Sequence, residues 1–283
     1  MQCDWDAFLC LLPPWIRTDV NRIGKDSLQE LRFRNGKKPE LKLNTGCEYL
    51  NTRIKDEDIS FCVNAASRYS PWSATSVANG YITAKGGHRL GLCGEATVLD
   101  GKMKGFSSII SVSLRVARDF YNIGNKLKDL QGSTLIIGPP GCGKTTLLRD
   151  YVRLQSDINH RTISVVDERG EIFPVHRCGY CFHTGERTDV LSGCVKRAGI
   201  ESVLRSMTPD VIAVDEITAG EDCSALLQAG WCGVDILATA HAACKNDLFN
   251  RVLYRPIINS GLFQNLVVLH VDKTYHVERM DVG

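Results

Sequence analysis

Along the second half of the chain, short apolar runs recur between stretches of helical length and spacing. The runs are Thr134–Ile137, Thr162–Val166, Val211–Val214, Ile236–Thr239 and Leu266–Val271. Turn or polar residues bound each run, as expected for strands buried on both faces. The intervals 145–155, 198–206, 221–230 and 246–261 read as helices. This alternation predicts a parallel sheet covered on both sides.

Before about residue 125 the texture differs. Residues 4–11 form a short amphipathic pattern, and ELRFRNGKKPELKL (30–43) alternates like a hairpin turning at Asn35-Gly36. DEDISFCVNAASRYS (56–70) reads as a helix, and residues 79–118 as several strands separated by glycine turns. The expected organisation is an α+β domain over 1–125 and an α/β domain over 126–283, joined through NIGNKLKDLQGS (122–133).

Charge changes this picture little. The 34 Lys+Arg nearly balance the 32 Asp+Glu. Residues 1–125 carry 17 basic against 13 acidic groups, and the rest 17 against 19. No dense basic run is present, so direct nucleic-acid binding is not expected. No apolar segment is long enough to span a bilayer, so a membrane role has to run through a partner. The N-terminus, MQCDWDAFLCLLPPW, is acidic where a signal peptide is basic, and Pro13 and Pro14 break its apolar run. The 12 cysteines are scattered without the spacing of a disulfide framework, which places them as reduced thiols in a cytoplasmic protein.

The candidate chemistry lies at the ends of the apolar runs. GPPGCGKT (138–145) follows one run and opens a helix, the context of a phosphate-binding loop. Gly138, Pro139, Pro140, Gly141, Cys142, Gly143, Lys144, Thr145 and Thr146 are the expected nucleotide contacts. Backbone N–H groups and the helix N-terminus cradle phosphate, Lys144 neutralises it, and Thr145 is a ligand for Mg²⁺. SMTPDVIAVDEI (206–217) ends in Asp215-Glu216. A strand lying beside the loop's own strand delivers Asp215 to the metal and leaves Glu216 to polarise a water. Asp167, Glu168 and Glu171 end another strand and face the same ligand, because open parallel sheets bind at the carboxyl ends of their strands. Thr239 and His241 end a further strand, where a polar side chain reads the terminal phosphate. In HRCGYCFH (176–183), Cys178-x-x-Cys181 with His176 and His183 invites a metal reading. Four ligands within eight residues are cramped, and a cysteine-rich loop is preferred.

With these motifs placed, the chain resembles the secretion-ATPase superfamily, the motors of type II and type IV secretion and of type IV pili. GPPGCGKT is similar to its nucleotide loop, VVDERGEI to its aspartate box, LRSMTPDVIAVDEI to its Walker B region and ATAHA (238–242) to its histidine box. ELRFR, GYITAKGGHRLGLCG, VVDERGEI, RTDVLSGC and LRSMTPDVIAVDEI together resemble the stage III sporulation AA family of endospore-forming bacteria. The resemblance implies a RecA-like P-loop core behind a smaller α+β domain, and an ATPase using ATP and Mg²⁺ in a homo-oligomeric ring, a hexamer. It further implies membrane-embedded channel proteins as partners and a peripheral place on the mother-cell side of the sporulation membranes. Arginines of the first domain complete the site in this superfamily, and Arg89 and Arg115 hold the matching positions. They serve equally as ion-pair partners within a sheet. Lys144, Glu216, Glu168, His241, Arg89 and Arg115 are thus the catalytic candidates, with Thr145 and Asp215 for the metal. Asp215 stands where the secretion motors have glycine, so the general base stays open between Glu216 and the Asp167, Glu168, Glu171 group. The family usually has Pro at the position of Val195 and Gly at that of Thr218, and the four-cysteine element of type II motors is absent. Two other functions compete: a nucleic-acid-dependent RecA-like ATPase and a nucleotide-switched scaffold with little turnover.

Overall fold

The computed structural model describes residues 1–67, 77–78, 80–176 and 179–280. Helix α1 (Trp5–Cys10) starts at Asp4, whose carboxylate accepts the Ala7 N–H at 3.1 Å. Helix α2 (Pro14–Ile23) starts with Pro14, whose fixed φ and missing N–H suit a first turn. The proline pair that looked like a break is therefore a helix start. Strands β1 (Leu28–Arg34), β2 (Glu40–Leu43) and β3 (Gly46–Tyr49) precede helix α3 (Asp56–Ser67). Residues 68–70 of the predicted helix lie outside the described residues. Strands β4 (Tyr81–Thr83), β5 (Arg89–Leu99) and β6 (Lys102–Arg115) complete an antiparallel sheet of order β3-β2-β1-β6-β5-β4.

Alternation divides this sheet into two faces. Leu31, Phe33, Leu90, Leu92, Val112 and Leu114 point into a core shared with Phe8, Ile16, Val20 and Ile59 from the helices. Glu30, Arg32, Arg34, Arg89 and Arg115 hold the alternate positions.

In the second half, β7 (Thr134–Ile137) leads into α4 (Lys144–Asp157) and β8 (Ile163–Asp167). The two-residue strands β9 (Val175–His176) and β10 (Gly179–Tyr180) pair with each other. Then follow β11 (Thr188–Ser192), α5 (Lys196–Ser206), β12 (Val211–Val214), α6 (Gly220–Trp231) and β13 (Asp235–Ala240). Helices α7 (Lys245–Asn250) and α8 (Arg255–Asn259) precede β14 (Asn265–Leu269) and β15 (Tyr275–Arg279). The sheet order is β11-β8-β12-β13-β7-β14-β15, parallel except for β15 against β14. The helix expected over 246–261 is broken. Pro256, without an N–H, cannot continue a helix from Val252, and a 3₁₀ turn at Val252–Tyr254 intervenes.

The chain forms two compact units, Met1–Asp119 with Pro174–Phe182, and Phe120–Phe173 with the chain from His183 on. The boundary drawn from the sequence at 125 falls here between Asp119 and Phe120. The β9–β10 excursion, from within the second half, packs with the first unit, where Pro174 Cγ and Phe182 Cζ lie against Gly87.

The buried polar face of α4 grips the roots of these crossings inside the second unit. Arg153 donates to the carbonyls of Phe120 and His183, and Arg149 to those of Glu171 and Ile172. Asp150 accepts the N–H groups of Asn122 at 3.2 Å and Gly124 at 2.8 Å, and pairs with Arg153 at 3.0 Å.

Candidate functional site

The carboxyl end of the parallel sheet gathers the residues that the sequence singled out in the second unit. The loop after β7 turns through Gly141 at φ +76° and Gly143 at φ +107°, conformations that a Cβ disfavours. The left-handed turn before α4 sets successive N–H groups toward the helix N-terminus, a concavity suited to an anion. Lys144 is 6% exposed, and its Nζ donates to the carbonyls of Gly138 at 2.9 Å and Pro139 at 3.0 Å. Pro140 and Gly141 are exposed at the rim, and Cys142 is buried beneath it. Thr146 lies half-buried in the first turn of α4.

Thr145 Oγ1 donates to Asp215 Oδ2 at 2.6 Å. The other Asp215 oxygen accepts the Thr239 hydroxyl at 2.5 Å and the Glu216 N–H at 3.1 Å. The strand carrying Asp215 does not lie beside the loop strand as expected. β13 stands between them, which brings Thr239 and His241 into the middle of the site. The fit to a nucleotide rests on the glycine cradle, the helix N-terminus and Lys144. The fit to Mg²⁺ rests on a hydroxyl and a carboxylate oxygen already within hydrogen-bond distance of each other. Thr145 and Asp215 are the residues that would hold the ion.

Glu216 follows at φ +48°, an uncommon backbone conformation for a residue with a side chain. Its Oε1 lies 2.9 Å from His241 Nε2 and its Oε2 3.7 Å from Arg169 Nη1. His241 Nδ1 is 3.2 Å from Lys144 Nζ.

The strand-end carboxylates of β8 have separate roles. Asp167 is 2% exposed and accepts the N–H groups of Glu171, Ile172 and Phe173, each at 2.9 Å. Burial, with a further push from the Asp215 charge, raises its pKa to about 6 against the pull of those N–H groups. Glu168 accepts Lys196 Nζ at 2.7 Å, and the same ammonium lies 4.0 Å from Asp222. Asp222 in turn accepts the N–H groups of Thr218 at 3.0 Å and Ala219 at 3.2 Å, which fixes the segment after Glu216. Arg169, Lys196 and Asp222 are participants that the sequence reading did not name. A signal existed for Arg169, the cation inside the acid-rich VVDERGEI.

Arg89 and Arg115 belong to the first unit, where they are direct cross-strand partners on β5 and β6. The Arg89 guanidinium stacks 3.8 Å from the Tyr81 ring centroid. Arg115 Nε lies 3.8 Å from the buried carboxylate of Glu30, which also binds Arg32 and the Ser113 hydroxyl. The burial of Glu30 works against its charge, but these donors outweigh it and its pKa is lowered. Arg177 and Cys178 of the HRCGYCFH stretch lie outside the described residues. Among the described residues, no helix is long and apolar enough to cross a membrane.

The family described as "Sporulation stage III, protein AA" has a model that matches residues 14–278. The chain belongs to this family. A curated family relative, stage III sporulation protein AA of Bacillus subtilis (strain 168), is 38% identical over 254 residues, covering 85% of this chain and 83% of the relative. The protein SEEDLING PLASTID DEVELOPMENT 1 of Arabidopsis thaliana is 26% identical over 86% of this chain, which spans 34% of that relative's length. Among solved structures, the pilus retraction motor PilT with bound ADP matches at TM-score 0.59 and 13% identity, over 88% of this chain and 76% of PilT. The Legionella pneumophila ATPase DotB matches at TM-score 0.55 and 16% identity, over 94% of this chain and 79% of DotB. The fold is therefore α/β, with a largely parallel sheet that resembles the RecA-like folds of DotB and PilT.

Proposed function

We propose that this sporulation-family chain is an ATPase that works as a ring, a hexamer, and drives a secretion-like channel between mother cell and forespore. The observation that supports this most is the placement of a second carboxylate, Glu216, directly after the metal-binding Asp215 and within reach of Lys144 through His241. Enzymes that transfer phosphate to a substrate must keep water out, whereas this arrangement supplies a base for it.

In the proposed cycle, the N–H groups of the loop and Lys144 bind the phosphates, and Thr145 with Asp215 hold Mg²⁺. The ion contributes charge neutralisation at the phosphate oxygens. Glu216 takes the proton of the attacking water. Asp167, already committed to three backbone N–H groups, and Glu168, paired with Lys196, are less suited to that step. Arg89 and Arg115 act on the nucleotide of a neighbouring copy, where guanidinium groups stabilise phosphate charge. The chain itself sits at the membrane through channel proteins.

The test is solution mass by light scattering, with and without Mg²⁺ and a non-hydrolysable ATP analogue, paired with phosphate release from ATP. A nucleotide-dependent shift to about six chains with turnover supports the motor. Assembly without phosphate release favours a nucleotide-switched scaffold instead.

A further inference from the structure

We infer that Tyr275 is the base-stacking residue of the nucleotide site, so that the ligand is held as a nucleotide and not as a bare phosphate chain. This rests on the nucleotide reading given above and adds where the other end of the ligand lies.

The direction of the ligand follows from the site. Asp215, Glu216 and His241, the groups assigned to the metal, the attacking water and its base, stand at the ends of β12 and β13. In the sheet, β13 flanks β7 on one side and β14 on the other. A phosphate chain laid over the loop, with its terminal phosphate toward β13, therefore runs its nucleoside end toward β14 and β15. The loop lies close against that side. A Cβ on Gly138 would meet the Leu269 carbonyl oxygen at 2.6 Å, and one on Gly143 would lie 4.0 Å from Leu269 Cδ2.

Tyr275 stands on that side. It is the register partner of Leu269, so the two side chains share a face of the sheet. Two strand spacings put β15 about 10 Å from β7, a gap that a ribose and its base bridge. The ring is half-buried, and its hydroxyl donates to the Ile123 carbonyl at 2.8 Å. The segment around Ile123 is in turn tied to α4, because Asp150, one turn beyond Thr146, accepts the N–H groups of Asn122 and Gly124. The tyrosine is thus fixed relative to the helix whose N-terminus cradles phosphate.

The chemistry gathered there matches a nucleoside joined to phosphate. The Lys126 ammonium lies 6.0 Å from the Tyr275 ring centroid, and the Ile123 side chain is exposed beside them. An aromatic face, a cation and an aliphatic surface suit a ligand that is aromatic at one end and anionic at the other. Every base has a π-face, so stacking is tolerant of base identity. Tyr275 therefore separates nucleotides from inorganic polyphosphate, and leaves adenine and guanine alike.

The decisive measurement is calorimetric titration of ADP, GDP and inorganic pyrophosphate, in Mg²⁺, into the full chain and into Tyr275→Ala and Tyr275→Phe. The parent should bind both nucleotides more tightly than pyrophosphate. Tyr275→Ala is expected to lose at least about fivefold for ADP and for GDP, yet to hold pyrophosphate within about twofold, which also shows that the loop is intact. In turnover its KM for ATP should rise while kcat holds. Tyr275→Phe keeps the ring and should bind ADP within about threefold of the parent. Equal changes for ADP and pyrophosphate, no change in either, or a phenylalanine variant as weak as the alanine one overturn the assignment of Tyr275 alone. A parent chain that binds neither ADP nor pyrophosphate overturns the nucleotide reading, and this proposal with it.

Discussion

Lys144 Nζ lies 3.2 Å from Nδ1 of His241, and this contact sets the tautomer of the imidazole. A lysine ammonium can only donate, so Nδ1 accepts and the ring proton is on Nε2, facing Glu216 Oε1 at 2.9 Å. One imidazole therefore joins the phosphate-loop lysine to the proposed base, and it does so from β13, the strand between them.

His241→Ala should lower turnover by about 10- to 100-fold while leaving nucleotide affinity within about threefold. Steady-state phosphate release with a parallel binding titration separates the two effects. A loss of affinity equal to the loss of turnover would place His241 in nucleotide binding and not in the orientation of Glu216.

Lys144→Ala should abolish measurable turnover and weaken triphosphate binding more than diphosphate binding, because Lys144 is the buried cation of the loop. Fluorescent nucleotide titration gives both affinities. Unchanged triphosphate affinity would remove Lys144 from the phosphate site.

Asp167 gives a pH signature. Its folded pKa, about 6, lies above the ordinary carboxylate value, so the folded state favours the protonated form. Its contribution to stability is fully present below about pH 4 and is lost as pH rises through about 6. The change amounts to about 3 kcal/mol at most. Urea unfolding from pH 5 to 7.5 should show the parent chain losing stability relative to Asp167→Asn as pH rises. A constant difference between the two would show that Asp167 does not titrate in this range.

Asp150→Ala should destabilise the chain by about 3–5 kcal/mol, because it strands the buried Arg153 charge and two N–H groups of the segment after Phe120. The urea midpoint reads this directly. A shift worth less than about 1 kcal/mol would mean that solvent reaches the site and replaces the carboxylate.

The sequence was most legible where chemistry sits at the end of an apolar strand. Thr134–Ile137 and Val211–Val214 appear with the bounds expected, and Lys144, Thr145, Asp215, Glu216, Thr239 and His241 meet at one end of the sheet. Asp215, Glu216, Thr239 and His241 lie within two positions of their strand ends, and Lys144 and Thr145 open the helix after β7, so the strand order brings them together. The edge strands β11 and β15 were missed, because exposure lets TDVLS and YHVER carry polar residues through the run. Lys196 was invisible for a different reason. Its partners Glu168 and Asp222 come from the turn after β8 and from α6, and only packing joins them. Asp167 was read as facing the ligand, whereas its oxygens are taken up by the loop that follows it.

The β9–β10 excursion has a consequence for how the chain is made. A ribosome delivers Met1–Asp119 before the rest, yet the first unit is not complete until Phe182 has been synthesised. At about 5–20 residues per second the wait lasts several seconds. During that interval the surface around Gly87, later covered by Pro174 and Phe182, stands open on the nascent chain. The first unit therefore reaches its final form only after β7, α4 and β8 have emerged, and a truncated gene ending at Asp119 would encode a permanently unfinished body.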